Sequence, residues 1–168
     1  EHVARKKVQF GVVPIENSVF GSIHQNYDLL FDHKLLIIGE ITLRIKLHLT
    51  ALPGVVLNEI RSIYSQPQAL GQCEDFLRTL KKVNIVSFHD TAGSARMVRE
   101  TGRRDFGAIA SAEAAKRHRL SIVRKSIESN HQNFTRFVIL GRTPASPNRS
   151  GKTSLVFATR NVPGVLFQ

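Results

Sequence analysis

Residues 83–123, VNIVSFHDTAGSARMVRETGRRDFGAIASAEAAKRHRLSIV, contain three short apolar runs separated by two stretches with the periodicity of a helix. The apolar runs are 83–88, 106–110 and 120–123, and the helical stretches are 91–100 and 111–118. Strands that alternate with helices of about ten residues are typical of α/β units built on a largely parallel sheet. This segment therefore predicts an α/β fold.

The same alternation continues on both sides of this segment. Toward the N-terminus the pattern predicts a strand over 8–13 closed by Pro14, a helix over 22–31, a β-rich stretch over 35–49, a strand over 60–64 and a helix over 67–80. Toward the C-terminus it predicts a strand over 134–141. Residues 143–151 are rich in Pro, Ser and Gly, which is the composition of a tether.

Composition excludes several classes of protein. The chain has 168 residues, of which 42% are hydrophobic and 22% charged, so it suits one ordinary domain or two small lobes. Its apolar runs are too short to span a bilayer, so we expect no membrane partner. The single cysteine, Cys73, falls on the apolar side of the predicted helix over 67–80 and is expected to be a core residue. A chain with one cysteine has no internal disulfide framework, which favours a reducing, cytoplasmic setting.

The net charge of +11 indicates an anionic partner. Nucleic acid is one candidate, and small carboxylates or phosphates are another. The basic residues do not interleave with aromatic side chains, and the chain has no Trp, so a specific nucleic-acid role is not expected. The histidines show no metal-ligand spacing, and no Gly-rich phosphate loop is present, so we expect neither a metal nor a cofactor.

Four predicted junctions between a strand and a helix carry small or hydroxyl-bearing residues. They lie at 13–22, 64–67, 89–95 and 110–113. Ligands of open α/β sheets gather at such junctions, because the free N–H groups of a helix N-terminus attract anions. Any one junction is more often a helix cap than a ligand site. Four of them together indicate an anion-binding cleft, although they do not name a reaction.

The segments at these junctions, taken in order, resemble the prephenate dehydratase family. The resemblance is carried by VVPIENS at 12–18, GSIHQNYDLL at 21–30, IGE at 38–40, YSQPQAL at 64–70 with Gln72 and Cys73, TAGSA at 91–95 and NFTRF at 133–137. Arogenate dehydratases share these motifs. Residues 153–168 resemble the opening of an ACT regulatory domain.

The resemblance implies a fold like that of type II periplasmic binding proteins, with two lobes built on mostly parallel sheets. Residues 1–142 would be the catalytic domain, in which lobe one is about 1–46 plus 127–142 and lobe two is about 47–126. Residues 143–152 would be a linker, and 153–168 the start of the ACT domain. The family's opening strand and helix would precede residue 1, and the ACT segment would stop before its effector motif. A chain truncated in this way is expected to be inactive or weak alone.

The resemblance also implies an activity. The expected reaction is the decarboxylating dehydration of prephenate to phenylpyruvate in L-phenylalanine biosynthesis, by a carbon–oxygen lyase that needs no cofactor. Two alternatives stay open: an arogenate dehydratase, and a non-catalytic two-lobed protein that binds a small carboxylate. The family precedent implies L-phenylalanine as effector, a homo-oligomer, and a plastid location if the source is a plant.

Family positions map onto this sequence residue by residue. The resemblance assigns catalysis to Thr135, Glu16, Asn17 and Gln72. Thr135 would donate a hydrogen bond to the departing hydroxide, Asn17 and Gln72 would orient the substrate, and Glu16 would act electrostatically. The positions expected to bind substrate are Ser18, Ser65, Thr91, Ala92, Gly93, Ser94, Asn133, Arg136 and Phe137. One departure is Gln66, which stands where the family motif normally has histidine.

Overall fold

The computed structural model describes residues 1–145 and Lys152, which divide into two compact units. The first unit contains Glu1–Leu43 and the chain from Thr135 onward, and the second contains Arg44–Phe134. The chain therefore passes from one unit to the other twice. Most of the predicted linker and all of the predicted ACT segment lie outside the described residues.

Nine strands and five α-helices occur in the described part of the chain. In order they are β1 (Gly11–Asn17), β2 (Gly21–Ser22), α1 (His24–His33), β3 (Leu36–Arg44), β4 (His48–Ala51), β5 (Ser62–Ser65), α2 (Pro67–Gln72), α3 (Glu74–Arg78), β6 (Asn84–Ser87), α4 (Thr91–Thr101), β7 (Phe106–Ala110), α5 (Ala112–Arg117), β8 (Ser121–Arg124) and β9 (Phe134–Gly141). A short 3₁₀ helix, Leu57–Glu59, precedes β5.

The first unit is a four-stranded sheet in the order β2-β1-β9-β3. Strand β1 runs antiparallel to both β2 and β9. The sequence predicted that this strand would end before Pro14, but β1 continues through the proline to Asn17. The pairing with β9 shifts register between Pro14 and Glu16, and this irregularity accommodates the proline. The core of this unit consists of Ile15, Val138 and Leu140, covered by side chains of α1.

The second unit is a five-stranded mixed sheet in the order β6-β5-β7-β4-β8. Strand β5 is parallel to β6 and β7, as expected for strands joined by crossover helices. Strand β4 is antiparallel to both of its neighbours, β7 and β8. The prediction of mostly parallel sheets is therefore wrong. Alternation of strands and helices predicts strand direction only where a crossover helix joins two neighbouring strands. The chain reaches β4 directly from the first unit, without such a helix, so its direction was not predicted.

Helices cover both faces of this second sheet. On one face Ala69 and Leu70 of α2, with Cys73 after it, form a core with Leu49 and Ile109, and α3 packs against this core through partly buried side chains. On the other face α4 and α5 pack through small residues, among them Ala95, Val98 and Ala108. Alanine on both the helices and the strand allows the close approach that such helix-on-sheet packing needs.

The predicted helix over 67–80 is two helices, which meet at Cys73. Cys73 has φ −113° and ψ 18°, outside the helical range, and its side chain is completely buried. Burial raises the pKa of its thiol to about 12, and the negative charge of Glu128 adds to this effect. The thiol is therefore not a nucleophile near neutral pH, and the prediction of a core residue is confirmed.

The β-rich stretch over 35–49 is divided between the units. Leu47 and Leu49 are buried in the second unit, whereas Ile41 and Leu43 on β3 are about half exposed. The sequence predicted one β-rich stretch over 35–49, and as a continuous strand it would place these alternating side chains on one side. That prediction is wrong because the chain leaves the first sheet after Arg44 and begins β4 at His48.

Residues 44–46 and 127–134 pack with the second unit, whereas the sequence placed them in lobe one. Main-chain hydrogen bonds explain the difference. The Ile45 N–H donates to the Asn133 carbonyl at 2.8 Å, and the Ile127 N–H donates to the Leu47 carbonyl at 2.9 Å. The segment through which the chain enters the second unit is thus hydrogen-bonded to the segment through which it leaves.

His48 helps to join these two segments. Its Nδ1 accepts a hydrogen bond from the Ser126 N–H at 2.9 Å, which requires that nitrogen to be unprotonated. Burial lowers the pKa of His48, and the nearby Glu128 carboxylate offsets this only in part. The folded protein therefore favours the neutral ring.

We expect the second unit to lose stability as the pH falls below about 6.5, the ordinary pKa of histidine. Above that pH His48 is neutral in both the folded and unfolded states, and below it the unfolded state takes up the proton first. His48→Asn keeps an acceptor that does not titrate, so it should reduce the slope of the urea midpoint against pH between about pH 7.5 and 5.5. An unchanged slope would contradict the assignment, and exposed His89→Asn is the control.

Candidate active site

The antiparallel pairing of β1 with β9 places Asn17 opposite Thr135. The Asn17 side-chain amide donates a hydrogen bond from Nδ2 to the Thr135 Oγ1 at 2.9 Å, across 118 residues of sequence. Both residues are more than nine-tenths buried, with 6% and 9% of their surfaces exposed. This pair joins the two positions that the resemblance placed at the centre of catalysis.

The orientation of the Asn17 amide is set by the turn that follows β1. Its Oδ1 accepts hydrogen bonds from the Val19 N–H at 2.9 Å and the Phe20 N–H at 3.0 Å. Gly21 then adopts φ +78°, which allows the chain to turn back into β2. With Oδ1 bonded to the main chain, Nδ2 is the group directed at Thr135.

This orientation determines what the Thr135 hydroxyl can do. A hydroxyl has one hydrogen and two lone pairs. Because the Thr135 oxygen accepts from Asn17, its own hydrogen remains to be donated to another acceptor. The pair therefore forms an oriented hydrogen-bond donor, which suits a reaction in which negative charge develops on an oxygen.

Glu16 and Arg136 lie on the other face of the same sheet, because successive strand residues point to opposite faces. The Arg136 Nε donates to the Glu40 Oε2 at 2.9 Å, and an Arg136 terminal nitrogen lies 3.5 Å from the Glu16 Oε2. Lys152 also contacts Glu40. Its hydrogen bond, followed by that of Arg136, lowers the pKa of the Glu40 carboxyl. The structure thus separates the predicted residues Glu16 and Arg136 from Asn17 and Thr135.

Two other predicted substrate-binding residues belong to the first unit. Ser18 is exposed in the turn after β1. Phe137 lies two residues beyond Thr135 on β9, so strand alternation places it on the same face, and it pairs in register with Pro14. Both positions are compatible with a ligand that contacts Thr135.

In the second unit, Gln72 is the last residue of α2 and is partly exposed. Its carbonyl accepts a hydrogen bond from the Ser129 N–H at 2.8 Å. Asn133 is almost completely buried, and its carbonyl accepts from the Ile45 N–H. Asn133 therefore helps to fix the segment that leads into β9.

Ser65 and Ser94 were predicted to bind substrate, but their hydroxyls are used inside the second unit. The Ser65 Oγ donates to the Ile109 carbonyl at 2.8 Å, and the Ser94 Oγ donates to the Asp90 carbonyl at 2.7 Å. Both residues are completely buried. These hydroxyls join a strand end to its neighbour and close the first turn of a helix, so they support the scaffold.

Thr91, Ala92 and Gly93 form the first turn of α4, as predicted. The Asp90 side chain caps this turn and accepts from the Gly93 N–H at 2.6 Å, so this predicted anion-binding junction already contains a carboxylate. A Cβ on Gly93 would lie 2.7 Å from the Asp90 Oδ2, so a larger residue would displace the cap. A cavity of about 300 Å³ lies beside this turn and is lined by Asp90, Ala92, Gly93, Arg96, Arg117 and His118. The side chains of Arg96 and Arg117 supply positive charge to this cavity.

The sequence reasoning assigned no role to Glu40 or Ser129. Glu40 is the partner of Arg136, and it belongs to the IGE motif that was already quoted for the resemblance. The presence of Glu40 in that motif was the sequence signal that could have identified it. Ser129 bonds to Gln72 and to the first turn of α3, and no sequence pattern marks it, because its partners are distant in the chain.

The described residues contain no cluster of three or more His, Cys, Asp or Glu side chains that could hold a metal ion. Likewise, none of the helices in residues 1–145 combines the length and the apolar character that crossing a membrane requires.

Two α/β units are joined by two passages of the chain, and the second unit has one antiparallel strand inserted among parallel ones. This arrangement is a two-lobed fold like that of type II periplasmic binding proteins. The chain belongs to the prephenate dehydratase family, whose model matches residues 1–145.

Curated relatives agree with this membership. The chain is 46% identical to arogenate dehydratase/prephenate dehydratase 2, chloroplastic, of Arabidopsis thaliana, over all of this chain and 44% of that protein. It is 43% identical to arogenate dehydratase 2 of Petunia hybrida, over all of this chain and 43% of that protein. The chain thus spans less than half the length of these relatives.

Solved structures share the fold. A prephenate dehydratase from Arthrobacter aurescens in complex with L-Phe matches 89% of this chain and 50% of its own, with a TM-score of 0.78 and 30% identity. GqqA, described as a novel type of quorum quenching acylase, matches 89% of this chain and 54% of its own, with a TM-score of 0.77 and 35% identity.

Proposed function

We propose that the full-length protein is a dehydratase that converts prephenate, or the related amino acid arogenate, by decarboxylating dehydration. The observation that carries the proposal is the buried Asn17–Thr135 pair, in which an oriented hydroxyl hydrogen is available to a departing oxygen. Family membership over residues 1–145 supports the same activity.

The chemistry explains why such a donor suffices. As the ring carboxylate leaves as carbon dioxide, the electrons of the breaking C–C bond enter the ring and make it aromatic. The C–O bond at the opposite ring carbon breaks, and the departing hydroxide takes a proton from the solvent to become water. The electrons are redistributed within the substrate, so the reaction needs no external oxidant. Thr135 would stabilise the negative charge that develops on the departing oxygen.

Other parts of the site have supporting roles in this proposal. Asn17 orients the Thr135 hydroxyl, and Gln72 and Ser18 orient the substrate. Arg136, with Glu16 and Glu40, stiffens the sheet that carries Thr135, since its guanidinium bridges β1 and β3. Arg96 and Arg117 beside the first turn of α4 would favour an anionic substrate.

The proposed regulation and cellular location of the full-length protein are based on its relatives. The Arthrobacter dehydratase is a complex with L-Phe, which supports L-phenylalanine as an effector of the full-length protein. The ACT-like residues 153–168 would belong to the effector domain, and we expect a homo-oligomer. The Arabidopsis relatives are named chloroplastic, which supports a plastid location for a plant source, while a cytoplasmic location stays a prediction for a source without plastids.

The test is to incubate the full-length protein separately with prephenate and with arogenate. We expect carbon dioxide and phenylpyruvate in equal amounts from prephenate, or carbon dioxide and phenylalanine from arogenate, and the faster reaction identifies the preferred substrate. Binding of both compounds without product would show a non-catalytic binding protein. Release of an acyl group from an N-acyl substrate, with no dehydration, would show an acylase. Either result would overturn the proposal.

A further inference from the structure

The break between α2 and α3 leaves main-chain groups that a continuous helix would satisfy. Gln72 ends α2 and Glu74 begins α3, with Cys73 outside the helical range between them. At such a break, the last carbonyls of one helix and the first N–H groups of the next lack partners within their own helices. The position of Gln72 therefore depends on what satisfies these groups.

Ser129 satisfies one group on each side of the break. Its N–H donates to the Gln72 carbonyl at 2.8 Å, and its Oγ accepts from the Asp75 N–H at 3.2 Å. Ser129 lies 54 residues beyond Asp75 in the chain, so neither helix supplies this link itself. A single exposed serine thus ties the end of one helix to the start of the next.

The segment that carries Ser129 is firmly anchored. The Ile127 N–H donates to the Leu47 carbonyl at 2.9 Å. The Glu128 side chain, only 1% exposed, accepts from the Leu47 N–H at 3.0 Å. These two bonds hold the segment to Leu47, directly before β4, which is an internal strand of the second sheet. Ser129 therefore transmits a position set by the sheet to the break between the helices.

We infer that Ser129 is a positioning residue for Gln72, which it holds in place to orient the substrate. This inference rests on the proposed function and adds a residue to it. Without the hydroxyl, the Asp75 N–H in the first turn of α3 loses its acceptor, and only the main-chain bond from the Ser129 N–H to the Gln72 carbonyl remains. Ser129 then no longer ties α3 to α2, and the break beside Gln72 can widen. A displacement of about 1 Å at an orienting group reduces turnover substantially, because catalysis depends on alignment.

The test is a double-mutant cycle in the full-length protein, with Ser129→Ala, Gln72→Ala and the double variant. If Ser129 acts through Gln72, Ser129→Ala should lower kcat/KM about tenfold in the wild-type background and less than about twofold in the Gln72→Ala background. Ser129→Thr keeps the hydroxyl at an exposed position and should restore most of the activity.

Thr79→Ala is the matched control. Thr79 is also an exposed hydroxyl of the α3 region, and it donates to the Phe76 carbonyl at the opposite end of the helix. Its loss should leave kcat and KM unchanged. If the effects of Ser129→Ala and Gln72→Ala multiply, Ser129 acts independently of Gln72 and the inference is overturned. The same holds if Ser129→Ala leaves kcat/KM unchanged while Gln72→Ala lowers it.

A second measurement does not depend on turnover, so it separates this inference from the proposed function. The side-chain amide resonance of Gln72, assigned by its loss in Gln72→Ala, should shift or broaden in Ser129→Ala. It should keep its wild-type position in Ser129→Thr and Thr79→Ala. An unmoved resonance in Ser129→Ala would overturn the inference, whether or not the protein dehydrates prephenate. Absence of turnover in the wild-type protein would overturn the proposed function alone.

Discussion

Thr135→Ala should lower the kcat of the full-length protein by about 10²–10³ and leave KM within about threefold of the wild-type value. The reason is that in the proposed reaction the departing oxygen becomes negatively charged only as the C–O bond breaks. A hydrogen bond from Thr135 is therefore stronger in the transition state than with bound substrate, and its loss affects the rate more than the binding. Steady-state kinetics with the preferred substrate measure both quantities.

Two further substitutions separate the hydroxyl from the methyl group. Thr135→Val keeps the shape of the buried side chain but removes the donor, so its kcat should match that of Thr135→Ala. Thr135→Ser keeps the donor and should retain activity within about tenfold of the wild type. A Thr135→Val enzyme with the wild-type kcat would remove the hydroxyl from the mechanism.

Local patterns in the sequence predicted most of the elements in the second unit. The strand at 106–110 and the helix that begins at Thr91 lie where the apolar periodicity placed them. Strand direction was not predictable in the same way, because the chain arrives at β4 from the first unit and not through a crossover helix, and β4 then pairs antiparallel with β7 and β8. The break at Cys73 was also missed, although Gly71 lowers the helix propensity just before it. The residue that bonds to both sides of the break, Ser129, is distant in the sequence and carries no local signal.

In the candidate site, the type of a residue alone did not predict whether its side chain is available to bind a ligand. Ser65 and Ser94 look like suitable anion ligands in the sequence, yet both hydroxyls donate to main-chain carbonyls in the interior. Asn17 and Thr135 are distant in sequence, so only the family resemblance connected them before the structure showed their hydrogen bond. Glu16 is adjacent to Asn17 but lies on the opposite face, because a strand alternates its side chains.

Thr135 differs from these two serines in the direction of its hydrogen bond. A hydroxyl that donates its hydrogen to a carbonyl can only accept hydrogen bonds from a ligand, through its lone pairs. Thr135 instead accepts from Asn17 and retains its hydrogen. The chemical role of the site therefore depends on the direction of one hydrogen bond, and a substitution that reverses this direction should be as damaging as removal of the hydroxyl.

Asn17→Asp makes this reversal with almost no change in shape. One carboxylate oxygen can continue to accept from the Val19 and Phe20 N–H groups, so the turn after β1 should persist. The other oxygen replaces the Nδ2 donor that faces Thr135. The Thr135 hydroxyl must then donate its hydrogen to the carboxylate, and it has none left for the departing oxygen.

We therefore expect Asn17→Asp to lower kcat about 10²-fold, and Asn17→Asp with Thr135→Ala to be little worse than either change alone, because both remove the same donor. Lower pH should partly restore the variant relative to the wild type, since the introduced carboxyl regains a donor toward Thr135 once it is protonated, and burial raises the pKa of a carboxyl. Asn130→Asp adds the same charge at an exposed turn, where the Asn130 oxygen already accepts from the Gln132 N–H, and should leave kcat unchanged. An Asn17→Asp enzyme with the wild-type kcat across the pH range would show that the direction of the Asn17–Thr135 hydrogen bond does not control turnover.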